Sequence, residues 1–132
     1  MKVAFATDDL LRVDAHFGTA KHIAIYDLSA TEWSLSEVVH FAENLLEDGS
    51  EDKLGPKVNA IKDCTLLYVA AIGGSAAARV VAQKVHPIKV MEPEEIPVVL
   101  GKLKQVLAGT PPPWLRKALR ADEERSLDFM QE

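Results

Sequence analysis

A histidine lies in a long loop near the start of the chain. His16 occupies the stretch Asp14-Ala15-His16-Phe17-Gly18, which connects two apolar runs that a tight turn would otherwise join. Loops of this length usually carry function or lack order, and Phe17 gives this one an apolar anchor. Imidazole is a preferred ligand for transition metals. We therefore take His16 as the candidate metal ligand, with a structural or merely exposed histidine as the alternative.

A glycine turn is the second candidate. Gly73-Gly74-Ser75 follows a long apolar run and precedes a segment of helix-favouring composition. Unshielded backbone amides at a helix N-terminus favour an anion. The alternative is a tight turn that needs glycine for its conformation alone. The turn is neither a P-loop nor a dinucleotide fingerprint, because the glycine spacing and the Lys-Ser/Thr pair of those motifs are absent.

Carboxylates and cations cluster in sequence around the same two segments. Asp8, Asp9 and Asp14 are able in principle to bind a divalent metal, as a two-metal nuclease would require, but capping and solvation explain them with fewer assumptions. Three basic side chains can offset the negative charge of a ligand there, and surface placement is their commoner fate: Arg12, Lys21 and Arg79.

These residues are positioned by a predicted α/β fold. Apolar runs predict strands at 2–7, 22–28, 65–72 and 87–91, and a further strand in which Trp33, Leu35, Val39 and Phe41 share one face. Helices are expected from Leu54 or Gly55, over 76–84 with Ser75 as the cap, and from near Ile96 to a stop at Gly109. The order β-β-β-α-β-α-β-α predicts a mixed five-stranded sheet of ribonuclease-H-like arrangement with flanking helices.

That topology predicts which loops meet. Ligands of open α/β sheets sit beyond the carboxyl ends of parallel strands. The loop from Asp8 to Lys21 and the glycine turn should emerge at one edge, together with three of the four histidines: His16, His22 and His40. His86 and Cys64 precede parallel strands and should lie at the opposite end.

Length and composition limit the number of domains and the classes of partner. The 132 residues are 48% hydrophobic and 27% charged, which predicts one globular domain. We place this α/β domain over 1–109, followed by a Pro-rich spacer and amphipathic tail over 110–132. A net charge of -5 with dispersed Lys and Arg argues against nucleic acid as a partner. No apolar run predicts a membrane span or signal peptide, so a cytoplasmic protein is expected. The lone Cys64 excludes an internal disulfide and the four-thiolate holder of ordinary iron–sulfur clusters.

Six segments in order resemble one family: KVAFAT, VDAHFGTAKHIAIYDL, EDKL, DCTLLYVAAIGGSAAARVV, HPIKV and PPPWLRKAL. They are similar to the dinitrogenase iron–molybdenum cofactor-binding group, the NifX, NafY and NifB C-terminal family, over most of the chain. The most specific parts are the His-Phe-Gly loop, the Ala-Ile-Gly-Gly-Ser turn and the Pro-Pro-Trp-Leu tail.

The resemblance implies a carrier in nitrogenase cofactor biosynthesis, not an enzyme. Its cargo would be the iron–molybdenum cofactor or the iron–sulfur precursor made by NifB, delivered toward a NifEN-type scaffold. The family's cofactor-linked histidine carries over onto His16, with Phe17 and Gly18 beside it, and the glycine turn onto Gly73, Gly74 and Ser75. The resemblance also implies the ribonuclease-H-like fold.

Two other hypotheses about the function stay open at this point. One is an accessory protein whose tail from Trp114 onward binds the assembly machinery without holding a cluster of its own. The other is a small metal-dependent hydrolase that uses Asp8 and Asp14, although a third well-placed carboxylate is missing from the sequence pattern.

Overall fold

The sheet at the centre of the protein has five strands. The computed structural model describes residues 1–41 and 54–131, with side chains through residue 124. In chain order the elements are β1 (Lys2–Thr7), β2 (Arg12–Val13), β3 (His22–Leu28), β4 (Trp33–His40), α1 (Gly55–Ala60), β5 (Leu66–Val69), α2 (Gly74–Ala82), β6 (His86–Lys89), β7 (Glu94–Glu95), α3 (Ile96–Ala108) and α4 (Pro113–Gln131). The sheet order is β4-β3-β1-β5-β6. β3 pairs antiparallel with β1 and β4, whereas β1, β5 and β6 run parallel, so the predicted mixed five-stranded sheet is confirmed.

Both faces of the central strands are buried, and successive residues enter two different cores. In β1, Ala4 and Ala6 belong to the core that includes residues of α1 and α2, whereas Val3 and Phe5 belong to the core that includes residues of α3 and α4. This alternation follows from the two-residue period of a strand. The result is three layers, with helices on each side of the sheet.

A β-bulge changes the face of β4. Ile25 lies opposite Glu37 but Tyr26 lies opposite Leu35, so Ser36 is an extra residue in β4. Each extra residue reverses the side-chain alternation beyond it. Val39 and Phe41 accordingly pack on the α1/α2 core, while the Trp33 ring lies 5.6 Å from Lys104 Nζ of α3. The prediction that Trp33, Leu35, Val39 and Phe41 share one face was wrong for this reason.

Two boundaries near the glycine turn differ from the predicted ones. β5 ends at Val69, because the next residues pair with the loop that follows β2 instead of extending the sheet. α2 begins at Gly74 with Gly73 as its N-cap and no side-chain cap, so the prediction that Ser75 caps the helix was wrong. Ser75 lies in the first turn of α2.

The prolines mark helix starts as predicted. Pro56 and Pro97 both occupy the first turn of their helices, α1 and α3, where a missing backbone N–H costs nothing. α3 ends at Gly109, as expected. A small second sheet of β2 and β7 was not predicted, since two residues per strand leave no periodic signal.

The C-terminal helix α4 packs on the α3 side of the sheet. Leu115 is fully buried and Ala118 nearly so, both within the core that contains α3. Trp114 stacks on His86 of β6 with ring centroids 5.2 Å apart. Within residues 1–41 and 54–131, no helix combines the length and apolarity that crossing a bilayer requires.

Candidate functional site

The His16 loop is joined to the end of β5 by backbone hydrogen bonds. The amide of Ala70 donates to the carbonyl of Ala15, and the amide of Phe17 donates to the carbonyl of Ala71, each at 2.9 Å. Phe17 is fully buried, as its predicted anchoring role requires. The chain reaches Gly73 two residues after Ala71. The predicted meeting of this loop with the glycine turn at one edge is therefore confirmed.

The His16 ring is exposed and rests on Gly18. Its Nδ1 accepts a hydrogen bond from the Gly18 amide at 3.0 Å, so a neutral ring carries its proton on Nε2. A Cβ on Gly18 would lie 3.3 Å from both Cε1 and Nδ1 of His16, which makes glycine the residue that permits this approach. Metal binding at Nδ1 must displace the Gly18 amide, at a cost of about 1 kcal/mol.

A buried lysine supports the same loop. Lys57 of α1 is only 5% exposed, and its Nζ donates to the carbonyl of Gly18 at 2.8 Å. Nζ also lies 5.2 Å from the centre of the Phe41 ring. Burial lowers the pKa of Lys57, and the attraction of Asp8 opposes that shift. A positive charge thus lies directly beneath the His16 loop.

Sequence reasoning missed Lys57, although a signal was present. Leu54 and Ile61 mark the apolar face of α1, and Lys57 stands three residues after the first and four before the second. That spacing puts the lysine on the buried face. A charged residue on such a face is rarely buried without a partner, which makes it a site candidate.

The glycine turn has open space around it. An added Cβ on Gly73 or Gly74 would meet no atom within 4 Å, and neither residue adopts a left-handed backbone. Gly73 has φ -72° and ψ 157°, which other residues adopt freely. The conformation of the turn alone therefore does not require glycine at these two positions.

The aspartates of the loop after β1 shape that loop. Asp9 accepts the amides of Leu11 and Arg12 at 2.8 Å and pairs with the Arg12 side chain at 2.9 Å. The amide of Leu11 and the contacts with Arg12 outweigh partial burial and lower the pKa of Asp9 to about 2.

The two other aspartates also bind backbone amides. Asp14 accepts the amide of Asp8, and Asp8 accepts the amide of Lys21. These bonds match the capping interpretation of the three aspartates. No group of three or more potential metal-ligating His, Cys, Asp or Glu side chains occurs in the described part of the chain.

The four histidines lie at two opposite ends of the sheet. His22 and His40 lie directly opposite each other on β3 and β4, with their Nδ1 atoms 2.7 Å apart. His22 lies opposite Thr7 at the end of β1, and His16 pairs with Ala71 just beyond the end of β5, so all three histidines lie at the predicted edge. Among residues 1–41 and 54–131 they do not form a three-residue metal-ligating group. His86 pairs with Leu66 at the start of β5, and Cys64 is buried just before it; both lie at the opposite end, as expected.

The three basic residues that were expected to offset a ligand's charge do not cluster in the structure. Arg12 is paired with Asp9, and Lys21 contributes backbone groups to the edge, where its carbonyl accepts the Phe41 amide. Arg79 lies in the last turn of α2, away from the glycine turn at the beginning of that helix.

Comparison with known proteins shows which family shares this edge of the sheet. The family model described as "Dinitrogenase iron-molybdenum cofactor" matches residues 1–106, which include the His16 loop, Lys57 and the glycine turn. The chain belongs to this dinitrogenase iron–molybdenum cofactor family. Its members place it in nitrogen fixation and in the biosynthesis of the nitrogenase cofactor.

One relative spans the whole chain and another spans most of it. Protein NifX of Herbaspirillum seropedicae is 55% identical over 132 residues, which cover 100% of this chain and 90% of that protein. The FeMo cofactor biosynthesis protein NifB of Bradyrhizobium diazoefficiens is 29% identical over 128 residues, 85% of this chain but 25% of that protein. The family resemblance seen in the sequence motifs is thereby confirmed.

A solved structure supports the architecture. The crystal structure of PH0822 aligns with a TM-score of 0.61 at 20% identity, covering 79% of this chain and 90% of that chain. At this identity the likeness concerns the fold alone. It agrees with a mixed α/β arrangement built on a five-stranded sheet.

Proposed function

We propose that this protein carries a preassembled metallocluster during nitrogenase cofactor biosynthesis. The cargo is the iron–molybdenum cofactor or its NifB-derived iron–sulfur precursor, and the carrier passes it toward the assembly scaffold. One observation carries the proposal: in a chain of this family, backbone bonds hold the exposed His16 loop against the end of β5, two residues before the open glycine turn.

The chemistry of the edge suits such cargo. A preassembled cluster brings its own bridging sulfides and a net negative charge, so the carrier needs few ligands. His16 supplies an imidazole, and the turn at Gly73, Gly74 and Ser75 supplies free amides at the positive end of α2. The buried Phe17 anchors the loop, and the Gly18 carbonyl accepts a hydrogen bond from Lys57. The positive charge of Lys57 favours an anion near the loop.

Release is as important as binding for a carrier. If every iron were held by the protein, transfer would face a high barrier. Here the His16 Nδ1 has a competing donor in the Gly18 amide, which reforms its hydrogen bond when the metal leaves. A single exchangeable ligand that is replaced by an internal donor favours handover to the next protein.

The wider assignment follows from the same proposal. NifB-type and NifEN-type proteins are the expected donor and acceptor, and neither nucleic acid nor membrane is needed for the exchange. The protein acts in the cytoplasm and catalyses no reaction of its own. We assign the fold as ribonuclease-H-like, because an antiparallel β1-β3-β4 meander is followed by the parallel strands β5 and β6.

Anaerobic titration with the NifB-derived precursor tests the proposal. Visible absorption and co-elution on a sizing column should show stoichiometric binding to the full chain. His16→Ala should weaken binding at least about tenfold, since loss of an outer-shell partner alone costs about 10- to 100-fold in metal affinity. His86→Ala, at the other end of the sheet, is the matched control and should bind normally. A folded protein that does not bind the precursor would favour the accessory-protein reading.

A further inference from the structure

We propose that His22 and His40 form a binding site for a divalent late transition-metal ion, separate from the cargo loop. The two residues are 18 positions apart in sequence and directly opposite on β3 and β4. Their Nδ1 atoms lie 2.7 Å apart, and the rings meet edge to face with centroids at 4.7 Å. Two imidazole nitrogens thus lie next to each other at the surface.

The separation of the two nitrogens is close to that of a chelate. With metal–nitrogen bonds of about 2.0–2.1 Å, two ligands at a right angle stand about 2.9 Å apart, and two at a tetrahedral angle about 3.3 Å. The two nitrogens, now 2.7 Å apart, therefore have to separate by about 0.2 Å for a right angle or about 0.6 Å for a tetrahedral one, and the rings have to turn so that both lone pairs face the ion. Imidazole ligands suit Ni²⁺, Cu²⁺ and Zn²⁺, and the remaining positions are open to water.

The strands hold the pair in place before any ion arrives. His22 and His40 lie in a continuous ladder in which Ile23 faces Val39 and Ala24 faces Val38. The amide of Phe41 also donates to the carbonyl of Lys21, so the backbone is paired immediately beyond both histidines. Ligands fixed by two paired strands lose little conformational freedom on binding.

An ion at this pair replaces the hydrogen bond between the two Nδ1 atoms. One of these atoms donates and the other accepts, and the tautomers of the two rings determine which one donates. The donor ring has to release its Nδ1 proton, or carry it on Nε2 instead, before both nitrogens coordinate the ion. Among residues 1–41 and 54–124, neither ring has another hydrogen-bond partner, so moving the rings breaks no other hydrogen bond there.

The pair is distinct from the cargo site. Ile23 and Val39 point into the α1/α2 core, so by alternation His22 and His40 project from the opposite face of the sheet. Lys57 lies on α1, on the side of that first core. Binding of an ion by the pair therefore does not depend on the proposed carrier function, and the failure of either leaves the other standing.

Metal titration of the full-length protein tests the site. Isothermal titration with Zn²⁺ should give one ion per chain, and His22→Ala and His40→Ala should each lower the affinity at least about tenfold. His86→Ala is the matched histidine control and should keep it, and His16→Ala tests whether the ion binds at the cargo loop instead. Electron paramagnetic resonance with Cu²⁺ should show two coordinating nitrogens, falling to one in either variant.

The opposite results would overturn the site. Equal affinity in all four variants would mean that the two histidines form only a hydrogen-bonded pair. Loss of the ion in His16→Ala alone would move it to the cargo loop. Circular dichroism of His22→Ala and His40→Ala shows whether each variant is folded, and the Cu²⁺ nitrogen count checks the site in whichever variant retains the fold.

Discussion

At the scale of single residues, the buried Lys57 links the core to the exposed loop. Its Nζ holds the Gly18 carbonyl, while the Gly18 amide holds the ring of His16. One glycine therefore joins a buried cation to the candidate metal ligand through its own backbone. The loop is therefore held by two hydrogen bonds, one from the Lys57 ammonium to the Gly18 carbonyl and one from the Gly18 amide to the His16 ring.

Replacing Lys57 by Met tests that arrangement. Met has similar length and removes both the charge and the desolvation cost, so we expect stability at neutral pH to change by less than about 2 kcal/mol. Precursor binding should weaken, because the positive charge beneath the loop is lost. Urea unfolding and the anaerobic titration measure the two effects, and the exposed Lys62→Met is the matched control.

The same variant has a pH signature. Burial lowers the pKa of Lys57 below its ordinary 10.5, so the unfolded chain binds more protons in the window between the two values. The stability of the wild-type protein should therefore rise, relative to Lys57→Met, as pH increases through that window toward 10.5. A difference that is constant with pH would contradict the burial of this charge.

At the scale of elements, α2 begins without a side-chain cap. Ser, Thr, Asp and Asn at an N-cap usually satisfy the free amides of the first turn, and Gly73 cannot. Its backbone is ordinary and no atom crowds it. The helix thus keeps free donors at the edge where the His16 loop lies.

Gly73→Ser separates stability from binding at this helix. The serine suits the backbone angles, so we expect stability to be unchanged or higher by a few tenths of a kcal/mol. Precursor binding should fall about tenfold, equal to ~1.4 kcal/mol, because the hydroxyl takes a free amide and covers the approach. Thermal unfolding and the precursor titration check both.

A second glycine provides the control for Gly73→Ser. Gly101 of α3 also has open space around it, so Gly101→Ala should stabilise the protein by about 0.5–1 kcal/mol and leave binding intact. Unchanged precursor affinity in Gly73→Ser would show that the free amides are not used.

At the scale of the whole molecule, α4 shares a core with α3 and the sheet. Leu115 has no exposed surface and packs in the same cluster as Phe5, Leu66 and Leu100. The separation of 110–132 from 1–109 as an independent tail stays a prediction. Its test is whether the core around Leu115 unfolds together with the rest.

Leu115→Ala makes that test. A fully buried leucine cut back to alanine costs about 2–5 kcal/mol, so urea unfolding should shift in a single cooperative transition. Leu11→Ala is the matched control, since Leu11 is 68% exposed and its loss should cost less than about 0.5 kcal/mol. A cost below about 1 kcal/mol for Leu115→Ala would mean that α4 lies outside the cooperative unit.

Local patterns in the sequence were enough to predict the architecture and the meeting of the two loops at the candidate site. Apolar runs placed β1 and β3 over their observed residues, and Pro56 and Pro97 placed the starts of two helices. The strand order that follows from these elements brought the His16 loop to the glycine turn. Such features depend on side-chain period and on φ restriction, which a few neighbouring residues determine.

Contacts between distant residues were decided only by the tertiary structure. The bulge at Ser36 set which face Trp33 and Val39 occupy, and the β3–β4 register put His22 against His40. Lys57 met Gly18 across 39 positions of sequence because α1 packs beneath the loop. Register and helix placement minimise the free energy of the whole core, so no local pattern of residues determines them.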